Sequence, residues 1–426
     1  MIIKNLKFNM KNNFKLIFFF LIFLFFLFFY FKPSFLRDLI IKITPTEARI
    51  KAKEIVFGKV FLDNMRYYYE INYNEKKLPD IQFETLEIKY IDIKNFFITS
   101  ILSHLGKSYK TAFIEEYKKK GLMLITNAGD VKVIEDLSIN QVINFNHNLK
   151  KNIRVVGSEK KDDTLFLAIY DIIDGCSLIT VQKGIINNEI KKINFSLVFK
   201  TNECLDNGAE YGGELTFDYK KNKLYLTTAA AEKYEFLAQN LESIHGKIIE
   251  INLEDNNYKI YTKGHRNPQG LLFTKNNFII STEHGSYGGD EINKIVEGKN
   301  YGWPISSYSE AYDFKTKNTN YYYQKSHEKY GYVEPIFSFI PSIGISKIIE
   351  VPNTFSKYMI DNYFITSLNR RSIYRVKFDQ NFEKLLYSEE MRVGGRVRDI
   401  AFIKEYNSFV LYLEDTEKLM VIKSLN

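Results

Sequence analysis

Between Gly264 and Pro304 the chain reads GHRNPQGLLFTKNNFIISTEHGSYGGDEINKIVEGKNYGWP. Arg266 and Asn267 stand near its start, Glu283-His284-Gly285-Ser286 follows an apolar run, and Asp290-Glu291 follows a Gly-Gly pair. Arginine offers a planar cation that pairs carboxylates bidentately and stacks on flat rings. Carboxylates and the carbonyls of glycine-rich turns are hard oxygen donors, the kind that calcium takes. Plainer readings exist for the same residues. Arg266-Asn267 also suits a buried pair closing a structural unit, and Asp290-Glu291 also suits a solvated turn. Trp303, the only tryptophan, reads as a packing residue in a Gly-Trp-Pro loop. His284 reads more readily as a supporting histidine than as a base.

These residues need a scaffold, and the chain repeats one six times. A polar turn leads into a short apolar strand, then a second turn and a partner strand. The first strand recurs as GLMLITNAGD from Gly121, DTLFLAIYD from Asp163, NKLYLTTAA from Asn222, NFIISTEHG from Asn277, NYFITSLN from Asn362 and NSFVLYLED from Asn407. Its partners begin near Val131, Ser177, Lys247, Glu291, Ser372 and Lys418. Such runs have strand length and β-branched or aromatic content, and Asn or Asp turns introduce most of them. The uneven spacing excludes a strict short-period repeat but fits blades of a β-propeller with long loops. The expected fold is therefore all-β, a six-bladed propeller over residues 106–426. Ala230 to Ile244 is the one good helical candidate.

The 426 residues carry a net charge of +8, spread without a basic stripe, so nucleic acid is not an expected partner. Apolar residues make up 45% and charged residues 26%, which excludes a disordered or collagenous chain. Leu16 to Phe31 is a continuous apolar run behind Lys4, Lys7, Lys11 and Lys15. Its 16 residues reach roughly 24 Å as a helix, and flanking lysines can snorkel to close the gap to a bilayer. We expect residues 1–35 to be an uncleaved signal anchor, a transmembrane helix with a cytoplasmic N-terminus. The propeller then lies in the periplasm on the inner membrane, or is secreted if the signal is cleaved. Residues 36–105 read as a membrane-proximal extension. Cys176 and Cys204 are the only cysteines; they suit a disulfide in an exported domain or two free buried thiols.

The motifs RNPQG (Arg266 to Gly270), TEHG with GGDE (Thr282 to Glu291) and GKNYGWP (Gly298 to Pro304) resemble those of the quinoprotein glucose/sorbosone dehydrogenases. Weaker likeness extends to YGGELTF (from Tyr211), PSIG (Pro341 to Gly344), SLNRRSIYRVKFD (from Ser367) and GGRVRDIAF (from Gly394), about residues 110–426 in all. The resemblance implies a six-bladed propeller that uses pyrroloquinoline quinone (PQQ) and calcium to oxidise aldoses, with electrons leaving to a membrane quinone or a cytochrome. It implies cofactor contacts from Arg266, Asn267, His284, Arg396 and Arg398. One calcium is implied at the carbonyls of Gly285 and Ser286. A second, structural calcium is implied at Asp290, Glu291, the backbone of Tyr301, and Glu310.

The chain also departs from the family. Glu210 stands where the family has its histidine base, in Glu210-Tyr211-Gly212-Gly213, and Asn369 stands where the family has a lysine. Glu is a weaker base near neutral pH unless burial raises its pKa. The expected function is a sugar dehydrogenase with Glu210 as base. The alternative is a catalytically altered or inactive propeller that binds a sugar, polymer or envelope protein. A calcium-dependent lactonase needs Glu210, Glu283 and Asp290 to converge.

Overall fold

The computed structural model describes residues 86–93, 101–102, 108–140, 142–206, 212–311 and 323–424. The expected signal anchor and Glu210 lie outside the described residues. No helix among the described residues is long and apolar enough to cross a membrane.

The strands form six four-stranded antiparallel blades. Blade 1 holds Ala112–Tyr117, Gly121–Thr126, Val131–Ile134 and Val142–His147; blade 2 holds Ile153–Lys161, Thr164–Ile173, Cys176–Asn187 and Lys192–Lys200. Blade 3 holds Gly212–Asp218, Lys223–Thr228, Lys247–Asn252 and Tyr258–Lys263; blade 4 holds Pro268–Phe273, Ile279–Glu283, Asp290–Ile295 and Phe337–Phe339. Blade 5 holds Ile345–Glu350, Asn362–Ser367, Ser372–Phe378 and Leu385–Arg392. Blade 6 takes Val397–Ile403, Ser408–Leu413 and Lys418–Ser424 from the C-terminal end, and its outer strand, Leu86–Asp92, from far upstream. Residues 86–92, which the sequence reading assigned to a membrane-proximal extension, therefore close the ring. A short parallel pairing, Lys192 with Asn146 and Ile193 with His147, joins the outer strands of blades 1 and 2.

The six sequence repeats are the second and third strands of the blades. They were legible because the second strand is buried almost throughout, as in Leu122 to Thr126 or Tyr363 to Ser367. The turn before it bends through the left-handed region at Asp162, Asn222, Asn277, Asp361 and Asn407. Asn and Asp adopt that conformation most readily among residues with a side chain.

Six apolar clusters fill the spaces between neighbouring blades. Met123 and Leu167 belong to the first, Phe166 and Leu226 to the second, Leu271 and Ile248 to the third. Ile280 and Ile365, Phe364 and Phe409, and Val410 with Leu124 mark the other three. Each fully buried aliphatic side chain contributes about 2 kcal/mol of transfer free energy. The first strands of the blades neighbour one another in ring order, and blade 6 returns to blade 1.

The expected helix at Ala230 to Ile244 is not α-helical. Only Glu232–Ala238 turns, as a 3-10 segment. The Lys247 ammonium takes the carbonyls of Leu237 and His245, each at 2.7 Å, and so draws this loop onto the blade. Cys176 and Cys204 are joined in a disulfide, with Cα atoms 5.5 Å apart. The bond ties blade 2 to the segment that leads towards blade 3.

Strand direction decides where chemistry collects. The residues before a first strand and those between the second and third strands lie at the same end of a blade. Arg266-Asn267, His284 to Gly289, Pro341 to Gly344, Asn369 to Arg371, Arg396 and Glu414-Asp415 all occupy such positions, so one face of the propeller gathers them.

Candidate functional site

Arg266 and Asn267 end the loop into blade 4, and both are buried. The Arg266 Nε donates to Ser286 Oγ at 2.9 Å and one terminal nitrogen donates to the His284 carbonyl at 3.1 Å. Its guanidinium lies 5.4 Å from the centre of the Trp303 ring. Trp303 is itself buried and donates to the Ala230 carbonyl at 2.6 Å, as a packing residue does. Glu283 clamps the turn from beneath. It accepts from the Arg266 and Asn267 backbone N–H groups and stands 3.0 Å from His265 Nδ1. His265 stacks on Tyr301, with ring centres 4.6 Å apart.

A second strand of interactions crosses the face. Asn267 Oδ1 accepts from the Gly212 N–H at 3.0 Å and from Gln269 Nε2 at 2.9 Å. Gln269 Oε1 accepts from Arg398 at 3.1 Å. Arg398 and Arg396 donate to Glu414, their Nε atoms 2.8 and 2.9 Å from its two oxygens. Burial alone would raise the Glu414 carboxyl, but the two guanidinium groups overcome it and hold the group below its usual range. Blades 3, 4 and 6 are thereby linked through side chains. Gln269 and Glu414 were missed in the sequence.

His284 is partly buried on this face, and its carbonyl accepts from Arg266. Burial pushes its imidazole down to about 4; Asp290 opposes this, while Arg266, Arg398 and Arg396 add to it. His284 is therefore neutral near pH 7 inside a positive field. Glu210 lies outside the described residues, yet Gly212, two residues on, is bonded to Asn267 in this network. Asn369 sits against the turn at Gly344, where a Cβ would come within 2.9 Å of the Asn369 backbone nitrogen.

The expected metal ligands divide into two groups. Gly285 and Ser286 lie in a turn fixed on both sides, by the Gly285 N–H to Asp290 at 3.0 Å and by Arg266 to the Ser286 hydroxyl. Paired hard oxygens there suit calcium. The other four do not form a metal cage. Asp290 has no exposed surface. Its Oδ2 accepts from Ser342 Oγ (2.7 Å) and from the N–H groups of Ile343, Gly344 and Ile345 (3.0, 2.7 and 3.1 Å), which locks the PSIG turn. Glu310 pairs with Lys325 at 2.9 Å. The Tyr301 carbonyl lies 3.0 Å from His327 Nδ1, and Glu291 lies 3.4 Å from His327 Nε2. Among the described residues no three His, Cys, Asp or Glu side chains converge to hold a metal. Asp290 and Glu291 are buried, so the solvated-turn reading fails as well. Glu283 and Asp290 point at backbone N–H groups, away from a common centre, which removes the lactonase reading.

His327 is buried, and its environment competes over its proton. Burial lowers its pKa, but Glu291, Glu334 and the Tyr301 carbonyl together carry it above the ordinary value. It borders a small polar cavity with Arg266, His284, Glu291, Ser306 and Ser307.

The donor set at the mouth fits a planar polyanion. Three arginines stand on this face with Glu414, Glu283 and Asp290, whose oxygens are taken up by the arginines and by backbone N–H groups, and His284 adds a polar edge. Comparisons with known proteins agree with the fold and the motifs. An uncharacterised Synechocystis protein is 27% identical over 266 residues, 57% of this chain and 63% of that protein. The aldose sugar dehydrogenase YliI of Escherichia coli is 28% identical over 274 residues, 59% of this chain and 71% of that protein. The chain thus spans about two thirds of the length of these relatives. The PQQ-bound aldose sugar dehydrogenase of Streptomyces coelicolor superposes with a TM-score of 0.55 at 15% identity, over 80% of this chain and 100% of that one, a likeness of fold. The family model described as Glucose / Sorbosone dehydrogenase matches residues 110–422, most of the chain. With six blades, the RNPQG, TEHG and GGRVRD motifs on one face and that match, the chain belongs to the glucose/sorbosone dehydrogenase family.

Proposed function

We propose that the protein oxidises an aldose or related carbohydrate at its C1 hydroxyl with PQQ as cofactor. The observation that carries this reading is the linked set on one face, in which Glu414 holds Arg396 and Arg398 and Gln269 joins Arg398 to Asn267, next to Arg266. The printed descriptions of its relatives, an aldose sugar dehydrogenase and a PQQ-bound one, point the same way.

Each residue then has a task. The guanidinium groups of Arg266, Arg396 and Arg398 would hold the anionic cofactor, since guanidinium pairs carboxylates and stacks on flat rings. Glu414 aims Arg396 and Arg398, and Gln269 joins Arg398 to Asn267. Neutral His284 offers a hydrogen bond without adding charge. The carbonyls of Gly285 and Ser286 hold one calcium. Bound PQQ supplies the acceptor for the C1 hydride. Glu210 would take the hydroxyl proton. Electrons leave to a membrane quinone or a cytochrome. The apolar run at Leu16 to Phe31 anchors the chain in the inner membrane with the propeller in the periplasm, and the Cys176–Cys204 disulfide supports an oxidising compartment.

Direct binding tests the reading. PQQ is titrated into the metal-stripped full chain in mild detergent, with and without calcium, following quinone absorbance and thermal stability. Saturable, calcium-dependent binding is expected. No binding well above the micromolar range overturns the proposal and leaves a propeller that binds a sugar, polymer or envelope protein.

A further inference from the structure

Four groups on this face were expected to share a structural calcium: Asp290, Glu291, the Tyr301 carbonyl and Glu310. In the folded chain each has another partner. Asp290 spends both oxygens on backbone N–H groups and Ser342. The Glu310 carboxylate meets the Lys325 ammonium at 2.9 Å. Lys325 also donates to the Ser309 carbonyl at 2.5 Å, beside Glu310. His327 spans the remaining two, with Nδ1 3.0 Å from the Tyr301 carbonyl and Nε2 3.4 Å from Glu291. The Tyr301 carbonyl only accepts, so Nδ1 carries a proton, while Nε2 faces the Glu291 carboxylate without completing a hydrogen bond. The ring also packs against Tyr308, with ring centres 5.2 Å apart, and is almost wholly buried, so solvent does not separate it from Glu291.

We infer that this loop cluster is held by side chains of the chain itself, with His327 and Lys325 occupying the places a structural calcium would fill. His327 and Lys325 belong to one segment between the third and fourth strands of blade 4. That segment brings an imidazole to Glu291 and Tyr301 and an ammonium to Glu310 on the site side of the blade. The protein then needs at most one calcium, at Gly285 and Ser286, and keeps this loop folded without metal. The inference stands whether or not PQQ binds.

The test compares thermal unfolding of the full chain in mild detergent, without PQQ, in EDTA and in millimolar calcium chloride. Parent, Glu291→Gln and His327→Gln are measured side by side. Any calcium response of the parent should persist in Glu291→Gln within about 1 °C, because the remaining site uses only carbonyls. His327→Gln should unfold several degrees lower in EDTA and in calcium alike, since it removes a buried ring packed on Tyr308 between the Tyr301 carbonyl and Glu291. A calcium response present in the parent and lost in Glu291→Gln overturns the inference. So does a His327→Gln protein as stable as the parent. If His327→Gln does not fold, the Glu291→Gln comparison still decides. Failure of PQQ to bind would move none of these readings, so the two proposals fall separately.

Discussion

The guanidinium of Arg398 donates to both oxygens of Glu414, at 2.8 and 3.3 Å, and the Glu414 side chain has no exposed surface. The register of blade 6 sets this up, because Val397 pairs with Leu413 and so brings the arginines opposite Glu414. A carboxylate beside the binding arginines subtracts charge from the site, so its value must be geometric. Glu414→Gln should therefore weaken PQQ binding about 10-fold even though it makes the site more positive. Arg398→Ala should weaken it at least as much, about 1.5 kcal/mol or more, by removing a charge-assisted contact. Absorbance titration measures both. Tighter binding by Glu414→Gln would show that the carboxylate only neutralises charge.

Asp290 is expected to act on stability rather than on metal affinity. Asn in its place turns one of two acceptor oxygens into a donor that faces backbone N–H groups. Asp290→Asn should cost about 3 kcal/mol, the scale for several hydrogen bonds to a buried charge lost or reversed. Thermal unfolding in EDTA and in calcium should fall equally. Recovery of the variant in calcium would return Asp290 to the list of metal ligands.

The central hairpin of each blade could be read from the sequence because buried second strands carry an unbroken apolar signal. The outer strand Leu86–Asp92 could not, since it is exposed along most of its length and its partner lies more than three hundred residues away. Ala230 to Ile244 misled because its spacing favours a helix, while Lys247 and Trp303 take its carbonyls from outside. The site motifs were visible as clusters, but the partners of their residues were not. Glu414 follows a strand that the repeat identifies, so the hairpin register was the available signal. His327 lies in a long insertion with no periodicity to place it.

The Cys176–Cys204 bond closes a loop whose ends are 28 residues apart. A cross-link over that length stabilises by about 3 kcal/mol in the chain-entropy account. Reductant, or the double serine variant, should lower the unfolding temperature by several degrees. Thiol titration of the denatured chain should detect none before reduction and two after. Two titratable thiols without reductant would remove the support that the bond gives to an oxidising compartment.

The middle of the ring carries the strongest pH signal. Glu115, Glu159, Glu214 and Asp399 come from the first strands of four blades, and Lys347 from a fifth lies 2.6 Å from Glu214 and 3.7 Å from Asp399. Burial raises Glu214 to about 8; Lys347 opposes this, and the Asp399 and Glu115 charges add to it. The folded state thus holds a proton that the unfolded chain gives up near 4.5. The stability this group contributes is therefore fully present below that value and declines as pH rises towards 8, by up to about 1.4 kcal/mol per unit. Lys347 is raised well above 10.5 and stays charged in both states through that window, so it adds no slope of its own there. Glu214→Gln should flatten the decline between pH 5 and 8 when unfolding free energy is measured in urea. Parallel profiles for parent and variant would mean that Glu214 is ionised in the folded protein, paired fully by Lys347.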